Sequence, residues 1–119
     1  FRSGPLAIAG GMSDGAALWA AVCGGYDLGM FGTRFIATPA SGAPQAWRDD
    51  MLNATMDDVT TVTAPNGVAA SILRSGQGSA GHTVSSVHRE MSVDELVDAL
   101  ADDWAAARAR TAIALSATE

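Results

Sequence analysis

Two glycine-bearing turns carry the residue types that hold anions. Gly10-Gly11 follows the apolar stretch Pro5-Leu6-Ala7-Ile8-Ala9, and Gly32-Thr33 follows a second, mostly apolar run over residues 26–31. Glycine lets the backbone take shapes that other residues resist and approach a ligand closely. Free N–H groups at such turns, with the partial positive charge of a following helix N-terminus, bind phosphate. The Thr33 hydroxyl can donate one further hydrogen bond. Arg34 is the nearest fixed positive charge, and it either faces the anion or pairs with a carboxylate of the fold. Gly-Gly after a strand also serves plain tight packing, so spacing alone leaves phosphate binding and packing level.

Other reactive side chains are sparse. A histidine in a glycine loop can act as a general base, and His82, beside Gly81, is better placed for this than His88, which precedes Arg89 and Glu90. Neither has a nucleophile partner in the sequence, and both read more simply as loop or surface residues. Cys23 is the single cysteine, which excludes an internal disulfide and a Cys-based zinc site. It reads as a small buried thiol. Trp19, Trp47 and Trp104 each fall on a predicted helix and read as packing residues. Ser13, Ser41 and Thr60-Thr61 lack a nearby base, so no nucleophile is assigned.

The glycine turns need elements to position them. Residues 6–9 form a short continuous apolar run, read as a buried parallel strand. Ser13 or Asp14 caps an alanine-rich helix over 15–23, with Leu18, Ala21 and Val22 on one face, and Gly24-Gly25 stops it. A second strand over 26–31 completes a βαβ unit and implies a parallel sheet. Both glycine turns then lie on one rim, at the C-terminal ends of neighbouring strands. Residues 34–37 begin a short helix that Thr38-Pro39 closes.

Pro44 opens a further helix whose Trp47, Met51 and Ala54 share a face. Residues 59–64 read as a strand, Pro65-Asn66-Gly67 as a turn, and 68–73 as a returning strand or a short helix. Residues 75–80 form a Gly/Ser-rich loop. Ser92 and Glu95 make a capping box, with Met91 and Leu96 as a hydrophobic staple. Val93, Leu96, Val97, Leu100 and Trp104 form the apolar stripe of a last helix that runs to about Arg110, and Asp94, Asp98, Asp102 and Asp103 form its solvated face.

The chain has 119 residues, of which 48% are hydrophobic and 17% charged, so it is globular. That length supports one small domain but not a whole β/α barrel of about 250 residues. Phe1 leads almost at once into an apolar strand, as expected of a chain cut within a larger domain; a processed N-terminus is the alternative. One partial domain is therefore expected: a βαβ unit over 1–40, an excursion and loop over 41–90, and a terminal helix over 91–112. A strand lacking its upstream neighbour leaves an open edge, so self-association or marginal stability of the isolated chain is expected. A net charge of −6 with scattered basic residues excludes a general nucleic-acid surface. No run of 18 apolar residues and no secretory pattern is present, so no membrane partner is expected and the cytoplasm is the expected location.

Two segments resemble a known family. Ala9-Gly10-Gly11-Met12-Ser13-Asp14-Gly15 is similar to A-G-G-I-x-D-G, and Phe31-Gly32-Thr33-Arg34-Phe35-Ile36-Ala37-Thr38 to M-G-T-R-F-x-A-T. Both belong to the FMN-dependent nitronate monooxygenases, formerly 2-nitropropane dioxygenases, whose superfamily includes flavin-dependent enoyl-acyl-carrier-protein reductases. Weaker similarity continues through residues 51–63, Ser79-Ala80-Gly81-His82 and residues 93–107. The resemblance implies an α/β fold, the C-terminal portion of a (β/α)8 TIM barrel. It implies that Gly10, Gly11, Gly32 and Thr33 hold the FMN phosphate, with Ala9 also among the cofactor-binding residues. Met30 stands where many members carry Gln near the flavin, Phe31 replaces the usual Met, and Gly81 and His82 approach from a closing loop. The family's catalytic histidine lies upstream of the first strand, so no catalytic residue is assigned within this chain. The implied activity is oxidation of a small alkyl nitronate with O2, with enoyl reduction or a non-catalytic interaction domain as alternatives. Oligomeric state is not assigned.

Overall fold

The computed structural model describes residues 3–117. The first strand, β1 (Ala7–Ala9), leads through the glycine turn into α1 (Gly15–Cys23), which returns to β2 (Leu28–Met30). β1 and β2 pair in parallel, with Ala7 opposite Leu28, Ile8 opposite Gly29 and Ala9 opposite Met30. Asp14 rather than Ser13 caps α1, its carboxylate accepting from Ala17 N–H at 2.7 Å. At the other end, Gly25 takes φ +92°, Tyr26 N–H donates to Ala21 carbonyl at 3.1 Å and Gly25 N–H to Val22 carbonyl at 3.0 Å. This pair of bonds is a Schellman closure, which needs the left-handed glycine. It turns the chain back within a few residues, so the glycine turns following β1 and β2 end on one side.

α2 (Thr33–Ile36) follows β2 directly, and α3 (Gln45–Asn53) follows a short 3-10 turn. β3 (Val59–Thr63) and β4 (Ala69–Leu73) form an antiparallel hairpin, which selects strand over helix for the segment after the turn. Its turn uses Gly67 at φ +80° and an Asn66 side chain that accepts from Val68 N–H. The buried cluster of Ala37, Met51, Val59, Leu73, Ala80, Val84 and Val87 joins α3, the hairpin and the 80–87 loop, with Ile36, Trp47, Leu52 and Ala54 packed against it. Arg48 fastens α3 to the later loop through the Glu90 carboxylate and also bonds the Ala43 carbonyl.

The last helix, α4 (Val93–Ser116), packs against α1. It runs six residues past the expected end at Arg110 because residues 105–114 are alanine-rich and because Trp19 Nε1–H donates to Thr111 Oγ1 at 3.0 Å. Trp19 and Trp104 meet edge to face at 5.2 Å, and the Arg108 guanidinium lies over the Trp19 ring. These two tryptophans are thus packing residues of the α1–α4 seam. Leu96 is buried, while Val93 and Val97 of the expected stripe remain exposed.

Two burial expectations fail. β1 is not a buried strand: Ala7 and Ala9 are exposed and Leu6 is 43% exposed, with Leu28 and Met30 likewise exposed on β2. Among the described residues each of these strands has one sheet neighbour, so no further strand covers the pair. Cys23 is exposed, because it occupies the last turn of α1.

The capping box at the start of α4 is formed, with Glu95 N–H donating to Ser92 Oγ and Ser92 N–H to Glu95 Oε2. The Ser92 backbone bond, then the Ser92 hydroxyl, holds the Glu95 carboxyl below its ordinary range; the Thr55 N–H and hydroxyl do the same for Asp58. A carboxyl whose pKa is lower folded than unfolded stabilises the fold above its unfolded pKa and loses that contribution as pH falls through the folded value. Thermal stability should therefore decline as pH drops below about 4–5, and Glu95→Gln should show a shallower decline in melts followed by circular dichroism. Ser92→Ala should cost about 1 kcal/mol at neutral pH.

Candidate functional site

Three loops converge at the C-terminal ends of β1 and β2. Ala9, Gly10 and Gly11 come from the first, Met30, Gly32 and Thr33 from the second, and Gly81 and Thr83 from the loop preceding α4. With Met12 they line one cavity of about 190 Å³. Pockets that enclose a whole small-molecule ligand run from about 300 Å³ upward. The cavity therefore suits one end of a ligand, such as a phosphate, rather than an entire ring system.

The backbone shapes follow from the glycines. Gly10 and Gly11 take φ +81° and +73°, and nothing lies within 4 Å of where a Cβ would stand at either. Positive φ at two successive positions favours glycine, and the missing side chains leave this wall of the cavity open to a ligand. Gly32 precedes α2 without a side-chain cap on that helix. By contrast, Asp14 fills the N-terminus of α1 with its own carboxylate, so α1 contributes less to the positive potential than its position alone suggests.

Thr33 joins two of the loops. Its side chain is buried, and its Oγ1 accepts from Gly81 N–H at 2.9 Å. A hydroxyl that accepts here keeps its own proton to donate. A Cβ at Gly81 would stand 3.2 Å from Thr33 Oγ1, so a side chain there would require this latch to give by a few tenths of an ångström. Thr33→Val should leave a part-buried N–H without a partner and lower stability by about 1–3 kcal/mol in urea unfolding. Thr33→Ser, which retains the acceptor, should recover most of that loss.

The structure brings Ala9, Gly10, Gly11, Met30, Gly32, Thr33 and Gly81 together and leaves two expected residues outside. Phe31 does not line the cavity; its ring lies beside Gly29. His82 is exposed at the start of a 3-10 turn (His82–Ser86) and also does not line it. Arg34 is turned away, its guanidinium donating to Ser86 carbonyl at 3.0 Å and to Met91 Sδ at 3.8 Å. It therefore takes neither role expected of it, pairing with a backbone carbonyl instead of an anion in the cradle or a carboxylate. Thr83 and Met12 are additions that sequence spacing did not supply; the one available signal was Thr83's position two residues after Gly81. No charged side chain lines the cavity, so recognition there rests on backbone N–H groups and hydroxyls. Among the described residues no His, Cys, Asp and Glu cluster is placed to hold a metal, and no helix is long and apolar enough to cross a membrane.

No family model matches the chain. In sequence, 70 residues, 59% of the chain, are 37% identical to (3aS,4S,5R,7aS)-5-hydroxy-7a-methyl-1-oxo-octahydro-1H-indene-4-carboxyl-CoA dehydrogenase of Mycobacterium tuberculosis, over 20% of that protein. In structure, the chain is similar to FabK from Thermotoga maritima, with a TM-score of 0.80 over 99% of this chain and 48% of that one at 18% identity. It is likewise similar to nitroalkane oxidase from Streptomyces ansochromogenes, with a TM-score of 0.80 over 92% of this chain and 42% of that one at 23% identity. The chain spans less than half of each solved structure and a fifth of the curated relative. The two structural likenesses establish a shared fold.

Proposed function

We propose that this chain is the part of a flavin-dependent oxidoreductase that anchors the phosphate of FMN, within the C-terminal portion of a (β/α)8 barrel. The convergence of Ala9–Gly11, Gly32–Thr33 and Gly81–Thr83 on one neutral, glycine-walled cavity carries this reading. Phosphate sites of β/α barrels are built on this rim, from loops after adjacent strands. The fit is chemical as well as spatial: the cradle offers N–H groups and hydroxyls and presents no carboxylate side chain. Gly10 and Gly11 would receive the phosphate oxygens on one side. Gly32 and the Thr33 hydroxyl would receive them on the other, with Thr83 closing the third. Bound flavin would supply electron transfer, and the chain's residues would hold its phosphate end in place.

For substrate we infer a small alkyl nitronate oxidised with O2, a reading that sits beside the structural likeness to a nitroalkane oxidase. Enoyl thioester reduction is the second reading, and the sequence likeness to a protein named as a carboxyl-CoA dehydrogenase favours it. Turnover separates them: O2 consumption that depends on an added nitronate supports the first, and NADH consumption that depends on an added enoyl thioester supports the second. A folded chain that stays colourless and ignores added FMN would sink both in favour of a non-catalytic domain.

A further inference from the structure

A second pocket draws on the same two elements as the cradle, α2 and the 3-10 turn His82–Ser86. Arg34, Ser86, His88, Arg89 and Met91 line it, enclosing about 160 Å³. Thr33 faces the first cavity and its neighbour Arg34 the second. The wall holds two of the chain's seven basic residues and a histidine, and no carboxylate. Arg34 is half-buried, and among the described residues no carboxylate pairs with it; its partners are a carbonyl and a thioether sulfur. These satisfy two of five guanidinium donors and neutralise none of the charge. Two acids close in sequence have other partners: Glu90 bonds Arg48, and Glu95 caps α4 and lies 3.9 Å from Arg89. A partly desolvated cation without a counter-ion gains from an anion that comes to it. The planar fork of a guanidinium matches phosphate oxygens, and Arg89 and His88 stand exposed at the mouth to add to it.

We propose that this pocket is a second anion site, separate from the glycine cradle, that takes the pyrophosphate of a nucleotide-type ligand such as coenzyme A or a nicotinamide dinucleotide. The two cavities would then divide the work, backbone amides for one phosphate and arginines for the other. The proposal does not depend on the cradle's ligand.

The test is calorimetric titration of inorganic pyrophosphate into the Gly11→Val chain, where the cradle is disabled, at low ionic strength. Binding is expected, weakened about three- to fivefold by Arg89→Gln and about tenfold by Arg34→Gln. Because Arg34→Gln also removes a tie to Ser86, the exposed Arg89 is the deciding variant, and it should leave FMN affinity unchanged. Coenzyme A and NADPH are then used as competitors, and displacement of pyrophosphate by one of them identifies the source of the phosphate. No pyrophosphate binding, binding indifferent to Arg89→Gln, or displacement by neither competitor would overturn the proposal. FMN titration of the unmodified chain reads the cradle independently.

Discussion

Gly15→Val is expected to lower the melting temperature by more than about 12 °C, and Gly15→Ala by roughly 8 °C. Gly15 opens α1 at the point where that helix crosses α4, and it is buried. A Cβ there would overlap the Leu100 carbonyl oxygen and the Trp104 amide nitrogen, both backbone atoms that no rotamer change can move aside. The helices would have to separate, loosening the Trp19–Trp104 contact and the Trp19–Thr111 hydrogen bond. Overpacking of this kind costs about 1–3 kcal/mol and occasionally more, and alanine's better helix propensity returns at most about 1 kcal/mol. For a chain of this size each kcal/mol is worth about 4 °C. Gly4→Ala, at a site where a Cβ meets nothing within 4 Å and φ is not positive, should leave the melt unchanged. Equal melts for the Gly15 and Gly4 variants would show that α1 and α4 do not meet this way.

The second large effect concerns the cradle. Gly11→Val should weaken FMN binding at least about tenfold, because a β-branched residue resists the left-handed region by about 1–2 kcal/mol or more and would flip the turn. The site has room for the side chain, so the loss would come from backbone shape. Gly32→Ala offers the contrast: φ there is −103° and a Cβ meets nothing, so the fold should tolerate it. Any affinity lost in Gly32→Ala would then report contact with the ligand itself. Fluorescence quenching of added FMN measures both variants.

The βαβ unit was legible because its signals are local. Apolar triplets, an acidic cap and a double glycine stop lie within a few residues of one another, and the Schellman closure at Gly25 is written in the sequence. The capping box of α4 is local in the same way. What failed depends on distant partners. The direction of Arg34 is set by the Ser86 carbonyl, 52 residues away. The last turns of α4 are held by Trp19, 92 residues from Thr111. Burial of β1 was overestimated because an apolar run says nothing about whether a neighbour covers it. Gly15 read only as a helix start, since nothing local marks the crossing with α4. Within the cavity, glycines were identifiable by their turns, whereas Thr83 joins only because Gly81 is latched to Thr33.

The central claim is that this cradle recognises a phosphate, and comparison of FMN with riboflavin tests it most directly. The two share the ring system and the ribityl chain and differ by the phosphate. Titrated into the chain under identical conditions, FMN should bind at least about tenfold more tightly than riboflavin, and Gly11→Val should abolish most of the difference. Equal affinities for FMN and riboflavin, or a preference that survives Gly11→Val undiminished, would contradict the account.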